Sequence, residues 1–283
     1  MKLINISKKQ IKETKIITDY AKQWAIDNWH YLTEVNTPLL NIDSSTKLQK
    51  GKQYKTAILY LKPSDKIATK TLCASAKLYG CHFPCLESTG QLGLSVGDNA
   101  KIKRTIIYLL NRKEFNKQIK RDVEKYYKKY GDLLAVRLNG TSDIDFSYII
   151  KEYPHVQFYD YTKIYYRVLK NDLKNYDLTF SGSGANHITI KHTARAILEG
   201  HKTVLAINTK ELKSEYKRPN KLDLIPLIDM DKTDYRFTDP LNSVGTLKRK
   251  GSNKQERQRV EEEKYNFFFT QSTLKELEEL ITV

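Results

Sequence analysis

The chain has 283 residues, of which 40% are hydrophobic and 29% charged, with a formal net charge of +16. It is long enough to bury a substantial core, as one large α/β domain or as two smaller ones. No run of eighteen apolar residues occurs, and the opening "MKLINISKKQIKETKIITDY" has no apolar signal-peptide core followed by a small-residue cleavage site, so no membrane span is expected and the expected location is cytoplasmic. The positive charge points to a polyanionic partner such as nucleic acid, although Lys outnumbers Arg 38 to 11 and Arg is the residue favoured for bidentate phosphate recognition.

In chain order, "IKETKIITDYAKQWAIDNWHYLTE" places Ile16, Ile17, Tyr20, Trp24 and Ile26 at mixed helical spacing and predicts an N-terminal helix of about five turns. "NTPLLNIDSSTKLQKGKQ" then reads as a polar connection. From residue 54 onward, β-rich runs alternate with helical stretches. The predicted strands are "YKTAILYL" (54–61), "LLAVRL" (133–138), "VQFYDY" (156–161), "LTFSGS" (178–183), "TVLAIN" (203–208) and "LIPLID" (224–229). Helices are predicted around 97–130, 145–153, 164–173, 188–199 and 209–216, several closed by a breaker such as Gly131, Pro154 or Gly200. Such alternation implies right-handed βαβ crossovers and a mostly parallel sheet.

Polar or ionisable residues follow five of these runs at their carboxyl ends: Arg137, Asn139 and Asp143; Asp160, Thr162 and Lys163; Ser181, Ser183 and Asn186; Asn208; Asp229, Asp231 and Asp234. In a β/α barrel these ends converge on one mouth. The expected fold is therefore α/β, a partial (β/α)6 TIM-like barrel over 53–245, with an N-terminal helical extension over 1–52 and a charged C-terminal helical tail over 246–283. That tail opens with the charge-dense "TLKRKGSNKQERQRVEEEKYN" and ends in "NFFFTQSTLKELEELITV", which predicts a capped amphipathic helix.

All three cysteines, Cys73, Cys81 and Cys85, fall in the 71–90 stretch "TLCASAKLYGCHFPCLESTG", with spacing C-x7-C-x3-C after the first predicted strand and before a long helix. Three cysteines cannot all pair with one another, and in a reducing compartment disulfides would not persist, which favours a metal or a reactive thiol. Thiolates are soft ligands suited to an iron-sulfur cluster or to zinc. Three from one loop can hold three corners of a cubane, leaving one iron open for a substrate or cofactor. For zinc, His82 offers a fourth ligand and a Cys3His site. Inert buried cysteines are the third reading. Gly80 and Pro84 let the backbone wrap a small object closely.

A three-cysteine loop after the first strand of a β/α barrel resembles the radical SAM superfamily, in which three Cys bind a [4Fe-4S] cluster and S-adenosylmethionine chelates the fourth iron. The usual spacing there is C-x3-C-x2-C with an aromatic before the last Cys; here the spacing is longer and Phe83 lies two before Cys85. The resemblance places "RLNGTSD" where that superfamily has the turn that holds the methionine amino group, implying a role for Asn139, Gly140 and Asp143. The stretches "LKPSDKIATKTLCASAKLYGCHFPCLESTG", "LLAVRLNGTSDIDFSYIIKEYPHVQFYDYTK" and "LIDMDKTDYRFTDPLNSVGTLKRKG" also resemble a bacteriophage protein family labelled gene product eighty-eight. That likeness implies a phage-encoded protein of the host-cell cytoplasm.

Together these readings make Cys73, Cys81 and Cys85 the metal and cofactor ligands, with pocket candidates Asn139, Asp143, Asp160, Lys163, Ser181, Asn186 and Asn208. The alternative is a non-enzymatic basic nucleic-acid-binding protein with a structural zinc site. Further constellations each have a plainer reading. Lys163 can face a mouth or only pair with Asp160; "SGSGAN" can cradle an anion before a helix or be a tight turn; Asp229, Asp231 and Asp234 can bind Mg2+ or form a polar turn bridged by Arg236. The helix from Lys101 to Tyr130 carries eleven basic and three acidic residues, with an apolar stripe that turns the basic face outward. That face is either solvated or steers RNA or DNA.

Overall fold

A computed structural model describes residues 4–34, 37–43, 53–63, 65–81, 97–208, 221–222, 225–248 and 267–282. The chain divides into two compact units: Met1–Ala74 with Leu92–Phe158, and Ser75–Gln91 with Tyr159–Val283. Both are α/β, and most strand pairs are parallel.

The first unit opens with three short helices, α1 (Lys8–Glu13), α2 (Asp19–Asp27) and α3 (Trp29–Thr33), in place of the one long helix expected. The chain is punctuated by side-chain caps: Ser7 accepts from the Gln10 amide and Thr18 from the Ala21 amide, which restarts the helix after extended backbone. Strand β1 (Leu40–Ile42), inside the stretch read as a polar connection, pairs antiparallel with β2 (Lys55–Leu59). β2 runs parallel to β3 (Leu134–Arg137), which pairs with the first residues of β4 (Gln157–Thr162).

The long basic helix is two helices, α4 (Asp98–Leu110) and α5 (Arg112–Tyr130), because Asn111 leaves helical geometry and its side chain caps α5 by accepting from the Glu114 amide at 3.1 Å. α5 buries Phe115, Ile119 and Val123. Asp122 is buried among them and accepts from the Leu39 and Leu40 amides at 2.6 and 3.1 Å, tying down the start of β1. Burial pushes its carboxyl above the ordinary range despite those bonds. α6 (Ser147–Ile150) completes this unit.

In the second unit follow α7 (Tyr165–Leu169), β5 (Tyr176–Ser181), α8 (His187–Leu198), β6 (Thr203–Ile207), β7 (Lys221–Leu222), β8 (Ile225–Asp229), β9 (Val244–Lys248) and α9 (Gln271–Ile281). The strand order is β4-β5-β6-β9-β8-β7; β5, β6, β9 and β8 pair in parallel, and β7 is antiparallel to β8. Leu205 and Ile207 of β6 and Val244 of β9 pack with Ile190, Ala194, Phe269, Leu274 and Leu277 in one apolar cluster under α8 and α9. A capping box between Thr270 and Thr273 starts α9, as "FTQSTLKEL" predicts. Below the strands, fully buried Arg236 pairs with Asp239 at 3.1 Å, and Lys202 reaches Asp177 and the Arg236 carbonyl.

The expected α/β class and mostly parallel sheet are found, but not the partial TIM-like barrel. The strand order is linear in each unit, and β1 and β7 are edge strands with a single partner each among the described residues. The six-strand count missed β1 and β7, which are too short for a periodic signal, and β9, whose Val244 and Gly245 precede a lysine-rich run. The predicted helix at 209–216 lies outside the described residues. Among the described residues, no helix is long and apolar enough to cross a membrane.

Candidate metal centre and the turns that hold it

Cys73 belongs to the first unit, at the carboxyl ends of β2 and β3. The Gly140 amide donates to the Leu59 carbonyl at 3.0 Å, the Thr141 hydroxyl to the Leu61 carbonyl at 2.5 Å and the Asp143 amide to the Leu72 carbonyl at 3.2 Å. A Cβ at Gly140 would lie 2.7 Å from the Leu59 carbonyl oxygen and 2.7 Å from Ile58 Cγ2, so only glycine permits this approach. Asn139 is buried and holds the turn from inside. Its Oδ1 accepts from the Ser142 hydroxyl at 2.9 Å and the Ile144 amide at 2.8 Å, and its Nδ2 donates to the Ile144 carbonyl at 2.9 Å. Cys73 Sγ lies 4.0 Å from the Thr141 carbonyl oxygen. Nearby, Lys62 and Lys101 both bridge Asp98, at 2.8 and 2.9 Å. Burial acts to raise that carboxyl, but the two ammonium groups hold it below its ordinary value.

Cys81 belongs to the second unit and ends a helical turn. The Gly80 amide donates to the Lys77 carbonyl at 3.2 Å and the Cys81 amide to the Ala76 carbonyl at 3.1 Å, while Gly80 sits at φ 64. This bond pair around a left-handed residue is a Schellman motif, and it explains the glycine before the cysteine. Cys81 Sγ is 3.7 Å from the Ala76 carbonyl oxygen.

The turn is pinned to β5 and α8 within the same unit. Ser183 donates its hydroxyl to the Tyr79 carbonyl at 2.8 Å, and Asn186 Nδ2 donates to the Leu78 carbonyl at 2.9 Å while its Oδ1 caps α8 through the Thr189 amide at 3.1 Å. The "SGSGAN" stretch is thus a turn that grips the cysteine loop as well as a helix start. The Tyr79 hydroxyl lies 2.8 Å from His192 Nδ1, and the Tyr79 ring meets Phe180 edge-on. His192 stacks on Tyr165, whose hydroxyl donates to Glu199. Burial, followed by Arg195, lowers the His192 pKa below its ordinary value, and burial with the Glu199 bond pushes the Tyr165 phenol up to about 12.

The remaining pocket candidates of this unit take separate roles. Lys163 Nζ donates to the Ser181 carbonyl and hydroxyl oxygens at 3.1 and 3.2 Å and lies 4.7 Å from the Phe267 ring centroid. Asp160 is buried and accepts from Tyr176, which in turn accepts from Arg167. Asn208 is fully buried at the end of β6, its side-chain amide without a hydrogen-bonding partner among the described residues. Asp229 accepts from the Asp231 amide and Asp231 from the Lys248 amide, both at 2.9 Å, so these carboxylates serve a polar turn; Arg236 bridges Asp239 instead of them.

Sequence reading missed Thr141, Tyr79 and His192. Tyr79 lies inside the quoted cysteine loop, and its aromatic ring two residues before Cys81 was the available signal. Nothing in the spacing pairs it with His192, 113 positions away.

Both described thiols are partly buried, and their contacts to carbonyl oxygens are long. Soft thiolates suit iron or zinc, so the donor chemistry fits the implied group. His82 and Cys85 lie outside the described residues. Among the described residues, no three His, Cys, Asp or Glu side chains gather in a metal-binding group. No curated protein and no solved structure matches the chain. A family described as Gene product 88 matches residues 33–263, a span that takes in the cysteine loop, both strand-end turns and every pocket candidate, and the chain belongs to that family.

Proposed function

We propose that this is a phage-encoded iron-sulfur protein in which Cys73, Cys81 and Cys85 hold one [4Fe-4S] cluster, with redox or radical-SAM-like chemistry at the iron that no cysteine ligates. The observation that carries the reading is the gathering of every thiol of the chain into one C-x7-C-x3-C loop. Its support is local: Gly80 and Asn139 commit a left-handed backbone position and a fully engaged buried amide to the turns beside two of those thiols. When bound, the cluster would supply one-electron chemistry and a site for an S-adenosylmethionine amino and carboxyl group. The chain's own part is to position the sulfurs. Asn139 and Asn186 commit their side chains to the strand-end turns, while Asp143 in the first unit and Lys163 and Ser181 in the second supply further polar groups at strand ends.

Protein purified without oxygen should be brown and absorb at roughly 400 nm, and each Cys-to-Ala change should bleach it. Release of 5'-deoxyadenosine on incubation with dithionite and S-adenosylmethionine separates radical chemistry from a purely redox role.

A further inference from the structure

A second surface, in the first unit, stands apart from the cysteine chemistry. Helix α5 turns Phe115, Ile119, Asp122 and Val123 inward, so its outward line runs through Lys113, Lys117, Lys120, Arg121, Glu124 and Lys128. The acids on or beside this line are engaged. Glu114 holds Arg121 at 2.6 Å, Glu152 holds Lys120 at 2.6 Å, Glu124 accepts from the Tyr153 hydroxyl at 3.0 Å and Asp122 is buried.

Lys113, Lys117 and Lys128 are exposed and have no ion pair among the described residues. α6 and the turn after it widen the face: the Tyr148 hydroxyl of α6 donates to Asn116 at 3.1 Å, the Lys120–Glu152 bridge fixes the turn that follows, and exposed Lys151 lies between them in sequence. Tyr148 itself is 41% exposed. Lys128 lies fifteen positions beyond Lys113 on α5, about 22 Å along the axis. That length matches about two thirds of a duplex turn of roughly 34 Å.

We infer that this face binds the phosphodiester backbone of a nucleic acid without reading its sequence, with Lys113, Lys117, Lys128 and Lys151 meeting the phosphates and Tyr148 as a stacking ring. Exposed ammonium groups on one face release counterions from a polyanion whose phosphates they neutralise. Lysine point charges suit the backbone more than base readout.

The test uses the full chain and labelled probes of about 20 nucleotides, as duplex DNA, single-stranded DNA and RNA of one sequence, titrated at several salt concentrations. Wild type should bind at low salt. The combined variant K113Q/K117Q/K128Q/K151Q should bind more weakly, with a slope of log K against log salt shallower by about 0.9 for each duplex phosphate that is no longer neutralised, or about 3 to 4 in all. A control, K9Q/K12Q/K15Q/K70Q, removes equal charge from exposed positions of the same unit and should leave the slope nearly unchanged. Preference for one of the three probes identifies the nucleic acid. The inference is overturned if wild type binds none of them at low salt, if both variants weaken binding equally, or if anionic phosphatidylglycerol vesicles bind as tightly and with the same lysine dependence.

Discussion

Beside Cys73, the first unit fixes its turn with neutral groups: the Asn139 carboxamide inside, and Gly140 pressed on the Leu59 carbonyl. Beside Cys81, the second unit uses a left-handed glycine and a tyrosine whose hydroxyl meets an ionisable imidazole, His192. The two thiols therefore stand on supports of different kind. One depends on steric fit and a satisfied buried amide, which do not change with pH. The other passes through a group whose charge does.

The contrast breaks most visibly at the glycines. Gly140→Ala forces a Cβ against backbone, with the Leu59 carbonyl oxygen 2.7 Å away, whereas Gly245→Ala in the second unit meets the Met230 side chain at 2.5 to 2.7 Å, a flexible chain that can swing aside. Urea titrations should show G140A destabilised by about 3 kcal/mol and G245A by about 1 kcal/mol; equal losses would mean that the first-unit turn yields as easily as a methionine. Next in size, Asn139→Ala leaves the Ile144 amide and carbonyl without their partner and should cost about 2 kcal/mol, with Asn139→Asp intermediate because it keeps the acceptor and loses the donor. Gly80→Ala places a Cβ at φ 64 and should cost about 1 kcal/mol, read as faster amide exchange at Gly80 and Cys81.

The smallest effect is the pH dependence of the Tyr79 contact. The folded protein lowers the His192 pKa, so the folded state binds this proton less readily than the unfolded chain does. The stabilisation is fully present above the ordinary histidine value of about 6.5 and is lost as pH falls from there through the lowered value. Amide protection at Tyr79, after correction for intrinsic exchange, should fall on acidification across that window. His192→Phe should flatten the dependence, and the Asn139 turn should show none in either protein.

Much of the fold was legible because its central strands are long apolar runs. Residues 134–137, 157–162 and 203–207 fall within two residues of the predicted bounds, since Leu, Val, Ile and Phe there face cores on one or both sides. Breaks set by single polar side chains were harder to see. Asn111 divides the basic helix and Thr18 restarts the N-terminal one; both residue types favour caps, yet they also occur inside helices with the side chain turned to solvent. At the candidate site, Cys73, Cys81, Asn139 and Asn186 were visible as loop residues with a chemistry. The groups they meet, at Thr141, Leu78 and Ile144 among others, are backbone carbonyls whose approach depends on tertiary packing and leaves no mark in residue type. The barrel failed for a similar reason: alternating strands and helices fit a closed and an open sheet equally, and the choice rests on which strands form edges.

The central claim is that the three-cysteine loop binds an iron-sulfur cluster. Its most direct test is the iron, acid-labile sulfide and zinc content of protein prepared without oxygen, alongside the C73A, C81A and C85A variants. About four iron and four sulfide per chain are expected, falling in each variant. Stoichiometric zinc without labile sulfide would contradict it.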